Sequence, residues 1–371
     1  MTFLLGAGVI RIDVTVSRAL ACSVAVKANR PQGLTRMFVG RRPEEAPLLA
    51  GQVFSLCSFS QSVAARLAVL NAADLPMGDD ERRRAAAGLL AERIFESLRA
   101  LILHWPVSLP EPLTAAAGKH LREALAASQA IIAEVKAKDV DRQRLAAAAA
   151  RLSGAATGLG IPAQGSMPLA GTACAAILGD ATSDHAFAGR RPDRLTIADD
   201  AEVVARLCDE ADYAALPHLS GRIAETGAYS RPGGADGNRQ SSHLADRFLA
   251  RTGDVGRCLG ALHALVETGE QDWALLADSG PSPGVGGYGA VECARGRLYH
   301  QAELGADGRL SAYRILAPTE WNFHPAGPFV ETVLSSRIGT GEMAVRSVSR
   351  LAVLFDPCVA FEVDVREATH A

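Results

Sequence analysis

The sequence predicts a predominantly helical α+β fold, a helical bundle flanked by N-terminal and C-terminal β segments. Three observations carry that expectation. Ile10 to Val16 alternates apolar and polar side chains with period two, long alanine- and leucine-rich stretches follow helical spacing, and two strand-like runs flank Gly305-Ala-Asp-Gly308 as a hairpin would. The 371 residues read as a single domain in three parts. Residues 1–40 form a β segment, 41–280 are mainly helical with a loop near 229–243, and 281–371 form a β-containing C-terminal segment.

Ile-Arg-Ile-Asp-Val-Thr-Val at 10–16 suits a strand buried on one face, with 21–28 as its partner. In Gly40-Arg-Arg-Pro-Glu-Glu-Ala46 a helix can begin, since Pro43 is tolerated in a first turn and Glu44 and Glu45 complement the dipole there. Helices then dominate to about residue 155. Asp79 and Asp80 are expected to cap a helix whose apolar stripe is Leu90, Ile94, Leu98 and Leu101 and whose solvated side holds Arg82 to Arg84, Glu92, Glu96 and Arg99. Residues 121–136 and 142–152 are alanine-rich, and alanine loses no side-chain entropy in a helix. Tyr229 to His243 is too rich in glycine and polar residues for regular structure, and a helix is expected from Leu244 to about Glu267. Strands follow at 290–304 and 309–316.

With 48% hydrophobic and 21% charged residues the composition is globular, and 38 basic against 41 acidic residues leave a formal net charge of −3. No overall positive field exists to attract a nucleic acid or an anionic membrane. The uncharged stretch 152–179 is broken by Pro162, Pro168 and glycines, so no membrane span is expected. The N-terminus lacks a cationic signal-peptide region, and the expected location is the cytoplasm. Seven scattered cysteines do not form a disulfide framework and read as reduced thiols.

Gly284-Val-Gly-Gly-Tyr-Gly289 matches a dinucleotide fingerprint by letter but lacks the strand before it and the helix after it. The nine histidines show no zinc-site spacing, and no nucleophile elbow or P-loop is present. Two cysteines have suggestive surroundings. Cys57 stands just before a helical pattern, where backbone N–H groups and the helix dipole are expected to lower a thiol pKa, and Cys358 follows the turn-forming Asp356-Pro357. An isolated cysteine is otherwise a small buried hydrophobe, so both roles stay open on these grounds.

In their order along the chain, these pieces resemble the large subunit of nickel–iron hydrogenases. Gly8-Val-Ile-Arg-Ile-Asp13 resembles the opening Glu-Gly-His-Leu-Arg-Ile strand, and Gly40-Arg-Arg-Pro-Glu-Glu-Ala46 with Cys57 resembles the Gly-Arg-Asp-Pro segment leading into Arg-x-Cys-Gly-x-Cys-x-x-x-His. Glu292-Cys-Ala-Arg-Gly-Arg-Leu298 is similar to Glu-Ala-Pro-Arg-Gly-x-Leu, Pro318-Thr-Glu-Trp-Asn322 to Pro-Ser/Thr-Thr-Trp-Asn, and Asp356-Pro-Cys358 to the start of Asp-Pro-Cys-x-x-Cys-x-x-His. The matches cover both ends of the chain, while about 75–280 matches only as a helical region.

In the enzymes two Cys-x-x-Cys pairs hold nickel, and the second cysteine of each also bridges to an iron bearing two cyanides and one carbon monoxide. Here Cys57 and Cys358 match the first members, whereas Ser60 and Phe361 take the second places. A hydroxyl is too weak an acid to replace a thiolate readily, and phenylalanine has no donor atom. Ala7 stands where the enzymes carry a proton-transferring glutamate, Ala64 and Asp364 replace the motif histidines, and Thr35 falls near the Arg-Gly-x-Glu glutamate. The resemblance therefore implies no hydrogenase activity and no nickel. What it implies instead is similar to the HupK/HoxV type of accessory protein, a scaffold for assembling the iron centre. On that resemblance Cys57 and Cys358 are the metal ligands, Arg295 and Thr319 the cyanide-facing donors, and Asp356 either orients the Cys358 turn or pairs with Arg295. The cargo is iron with cyanide and carbon monoxide ligands, held transiently. The partners are the maturation factors that build it and the apo large subunit that receives it. A metal-free chaperone that protects immature hydrogenase subunits is the alternative.

Overall fold

The computed structural model describes residues 8–29, 33–162, 167–234, 242–334 and 336–368. Strand β1 (Val9–Ser17) buries Ile10, Ile12, Val14 and Val16 and pairs antiparallel with β2 (Leu20–Asn29), as the period-two pattern predicts. Their two-residue turn places Arg18 and Ala19 at φ of 50° and 67°, the positive values that two-residue hairpins use.

A short 3₁₀ turn at Pro43–Glu45 leads into α1 (Ala46–Val53), and α2 (Ser58–Ala72) follows, buried on nearly every face. Helix α3 (Asp79–His104) buries Leu90, Ile94, Leu98 and Leu101 as expected, with two corrections. Its N-cap is Gly78, so Asp79 and Asp80 lie inside the first turn, where they complement the dipole rather than cap. Glu92 and Glu96 are buried, not solvated, because α2, α4 (Glu111–Lys136) and α8 (His243–Thr268) all pack on α3 and leave it little exposed face.

The alanine-rich segments are helical and longer than the sequence suggests, with α4 packed against α5 (Arg142–Leu159). Two shorter helices, α6 (Ala173–Ser183) and α7 (Asp200–Asp209), precede the glycine-rich loop. Of that loop, 229–234 forms turns, 235–241 lies outside the described residues, and the Ser242 hydroxyl caps α8 by accepting from Ala245 N. Among the described residues no single helix is long and apolar enough to cross a membrane.

The C-terminal part opens with an antiparallel meander of β3 (Ala277–Ser282), β4 (Gly286–Cys293), β5 (Gly296–Leu304) and β6 (Leu310–Leu316). The hairpin around 305–308 is present, but the single strand expected at 290–304 is two strands, folded back at Ala294-Arg295. Helices α9 (Pro318–Asn322), α10 (Pro328–Val333) and α11 (Gly341–Phe355) follow, and β7 (Ala360–Glu367) joins the first sheet parallel to β1, with Ile10 opposite Phe361. The two ends of the chain thus share one sheet in the order β2-β1-β7.

The glycines of β4 serve a close approach rather than a phosphate. A Cβ on Gly287 would lie 2.2 Å from Ala72 N, and one on Gly289 would lie 2.4 Å from Ala64 O. Strand β4 therefore lies directly on the α2 backbone and runs antiparallel to it, which carries the β4–β5 turn towards the N-terminus of α2. Cys57 and Arg295 are neighbours for that reason.

Candidate functional site

Cys57 is the residue from which α2 starts, and Cys358 lies in the turn between α11 and β7. The parallel pairing of β7 with β1 returns the C-terminal turn to the core, and the two thiols are hydrogen-bonded to each other. Cys57 is buried and Cys358 half-buried, and none of the seven cysteines is in a disulfide. The turn holds two non-glycine residues in the left-handed region, Asp356 at φ 53° and Cys358 at φ 67°. Such backbone costs about 1–3 kcal/mol per residue and persists only where surrounding contacts impose it. Here the Asp356 carboxylate imposes it by accepting from Cys358 N at 3.4 Å and from Arg251 Nη2 at 2.9 Å.

Arg295 occupies the tight β4–β5 turn and extends, fully buried, between two carboxylates, with Nη2 2.9 Å from Glu96 and Nε 3.2 Å from Asp356. The contact with Asp356 is an ion pair not aligned as a hydrogen bond, and Nη1 has no hydrogen-bond partner among the described residues. Arg99 also pairs with Glu96, at 3.0 Å. Three guanidinium groups, those of Arg99, Arg251 and Arg295, thus face two carboxylates, Glu96 and Asp356. The cluster has a positive excess beside the thiols, which favours anions there. A cavity of about 20 Å³, room for about one water, lies between Arg247, Arg251, Arg295 and Asn322.

The expected lowering of the Cys57 pKa is overturned. The hydrogen bond with Cys358 and burial push the Cys57 thiol well up, and the nearby Arg295 charge only partly offsets them. A helix N-terminus lowers a thiol pKa where the thiolate stays solvated, and this one is enclosed. Burial works against the charge on Arg295, yet Asp356, Cys358, Glu96 and Cys57 hold it protonated. Burial raises the Asp356 carboxyl, and Arg295 and Arg251 more than reverse that, bringing it down to about 2.

Four of the five residues singled out from the sequence, Cys57, Cys358, Arg295 and Asp356, are thus in one contact network. Asp356 fills both roles considered for it. Thr319 is buried in α9, and the Asn322 side chain of the same helix reaches the Arg295 carbonyl at 3.5 Å. Ser60 donates its hydroxyl to Glu92 at 2.5 Å, and Glu92 also accepts from Phe59 N and Ser60 N. That carboxylate holds the first amides of α2 from a neighbouring helix. Phe361 packs against the core from β7, and Asp364 pairs with Arg366. Ala64 is buried beneath Gly289, Thr35 is half-buried in a 3₁₀ turn, and Ala7 lies outside the described residues.

Glu96 and Arg251 are site residues that the sequence did not single out. Glu92 and Glu96, one helical turn apart with Ile94 and Phe95 between them in a helix rich in apolar residues, were the available signal. Gln61 was not singled out either; its Nε2 lies 3.5 Å from the Cys57 sulfur.

No family model matches the chain. Its fold is that of nickel–iron hydrogenase large subunits. A NiFeSe hydrogenase chain from Dm. baculatum superposes with a TM-score of 0.67 at 13% identity, covering 93% of this chain and 94% of that one. In sequence the chain is 74% identical over 371 residues, all of both proteins, to the hydrogenase expression/formation protein HupK of Rhizobium leguminosarum bv. viciae. It is 32% identical to the HupK of Bradyrhizobium diazoefficiens, over 97% of this chain and 98% of that relative. The chain belongs to the HupK family of hydrogenase expression/formation proteins.

Proposed function

We propose that the protein is a non-catalytic scaffold of nickel–iron hydrogenase maturation. It transiently holds iron with cyanide and carbon monoxide ligands on Cys57 and Cys358 and passes it, in the cytoplasm, to an apo large subunit. A role in hydrogenase maturation is supported by the family name. The carriage of iron rests on one observation, the contact of two thiols from opposite ends of the chain beside a buried Arg295 with an N–H group unpartnered among the described residues.

The donor set suits this cargo. Two soft thiolates fit low-spin iron(II), and two donors alone leave most of its coordination sphere to ligands that arrive with it. Cyanide is an anion, and a buried guanidinium with a free N–H is the group that accepts one out of water. Because burial and the neighbouring Cys358 hold Cys57 as a thiol, loading would release its proton, so metal affinity would rise with pH. Ser60 and Phe361 offer nothing to a second metal, since one is committed to Glu92 and the other is a hydrocarbon. Nickel is not expected.

The test is an infrared spectrum of protein purified without oxygen from a cell that assembles hydrogenase. Carbon monoxide and cyanide bands are expected in wild type and absent in Cys57→Ala and Cys358→Ala. Wild type without bands, but still binding the immature large subunit, would favour the metal-free chaperone.

A further inference from the structure

Gln61 follows Cys57 by one helical turn, and behind it stands a line of buried polar groups that the iron-holding role leaves unused. Gln61 Nε2 is 3.5 Å from the Cys57 sulfur, Gln61 Oε1 is 2.7 Å from His300 Nε2, and His300 Nδ1 is 2.7 Å from the Tyr313 hydroxyl. Gln61, His300 and Tyr313 are 3%, 0% and 4% exposed, so water does not compete for any of these bonds. The far end is rigid. His300 and Tyr313 lie on the paired strands β5 and β6, and Tyr313 stacks on Phe38 with ring centroids 4.2 Å apart and planes 3° from parallel.

The direction of the line follows from its chemistry. Burial lowers the His300 pKa to about 3, so at neutral pH the imidazole carries one N–H and one lone pair. The Cys57 thiol is engaged with Cys358, which leaves its sulfur free to accept from the Gln61 amide. The amide oxygen must then accept from His300 Nε2–H, and Nδ1 must accept from the Tyr313 hydroxyl. A reversed amide would turn Oε1, which only accepts, towards a sulfur whose proton is already engaged with Cys358.

The geometry points to His300 and Tyr313 as positioning residues that hold the Gln61 amide N–H on the Cys57 sulfur, stabilising that sulfur as a thiolate when it takes a metal. The inference rests on the proposed role of Cys57 as a metal ligand. Donors aimed at a ligating sulfur commonly set its basicity and the orientation of its bond, and a neutral line does so without placing another charge in the core.

Two measurements on the full chain test it. Nitrogen-15 NMR of the His300 ring in metal-free protein is expected to show the Nε2–H tautomer, and the Nδ1–H tautomer would overturn the inference. Tyr313→Phe keeps the stack on Phe38 and the Nε2–H tautomer fixed by Gln61 but removes the donor to Nδ1, so the Nδ1 nitrogen resonance is expected to shift; an unchanged Nδ1 resonance would remove Tyr313 from the line. The second measurement is cadmium(II) binding, followed by thiolate charge-transfer absorbance, with Cys57→Ala and Cys358→Ala subtracting the other cysteines. Affinity is expected to fall about tenfold in Gln61→Leu and His300→Leu. It should recover in His300→Gln, which keeps a donor for Gln61 Oε1. Equal affinities in all folded variants would overturn the inference. A wild type that takes no cadmium at Cys57 and Cys358 would count against the metal-holding role itself, and the tautomer would then decide the positioning line by itself.

Discussion

Replacing Asp356 by asparagine removes the carboxylate that Arg251 and Arg295 share and changes little else. Asparagine tolerates the left-handed φ of 53° at this position, and its amide oxygen can still accept from Cys358 N. The magnitude can be approached in two ways. Burial raises the Asp356 carboxyl, but Arg295 and Arg251 bring it from 3.8 down to about 2, a displacement worth about 2 kcal/mol of stability at neutral pH. Breaking a buried ion pair costs about 3–5 kcal/mol when the remaining charge is stranded. Here neither arginine is stranded, because Arg251 still reaches the carbonyls of Val353 and Leu354 at 3.2 and 3.3 Å and Arg295 still reaches Glu96 at 2.9 Å. The expected loss is therefore about 2–3 kcal/mol, read as a lower urea midpoint at pH 7. A depressed carboxyl stabilises the fold fully above its unfolded pKa, and that contribution disappears as pH falls through the folded value. The gap between wild type and Asp356→Asn should accordingly be constant from pH 7 to about 5 and narrow below about pH 4. A variant as stable as wild type at pH 7, or a gap that does not narrow in acid, would refute the assignment of Asp356 as the charge that joins the two arginines.

Two further perturbations probe the frame of the site. In Gly287→Ala the new methyl group would meet Ala72 N at 2.2 Å, Asn71 C at 2.5 Å and Ala68 O at 2.6 Å, all backbone atoms that cannot turn aside. A loss of about 3 kcal/mol is expected in a thermal melt, and an unchanged melting temperature would mean that β4 does not lie on α2 as described. Ser60→Ala removes one of three donors to the buried Glu92, so stability should fall by about 1–2 kcal/mol. Cadmium binding at Cys57 and Cys358 should be untouched by that change, since the Ser60 hydroxyl faces Glu92, and a weakened site would show that Ser60 takes part in it.

Periodicity made most of the framework legible. β1 alternates so strictly that burial of Ile10, Ile12, Val14 and Val16 could be read directly, and the stripe Leu90, Ile94, Leu98 and Leu101 announced α3. The failures share a cause. Glu92 and Glu96 read as solvated because a charged residue usually is, and only the packing of three helices around α3 encloses them. The strand expected at 290–304 is broken at Ala294-Arg295 because β4 ends where α2 begins, a limit set by contact between distant segments.

The candidate site divides the same way. Local sequence by itself determined the chemistry available: two cysteines at matching places in two motifs, an arginine in a turn, and an aspartate ahead of a proline and a cysteine. Tertiary structure alone decided that these groups meet, because β7 pairs in parallel with β1 and the β4 glycines let a strand lie on α2. It also decided their protonation. The dipole at the start of α2 argued for a reactive, lowered Cys57 thiol, but enclosure next to Cys358 raises it, since desolvation and a neighbouring acid depend on three-dimensional surroundings that no local pattern encodes.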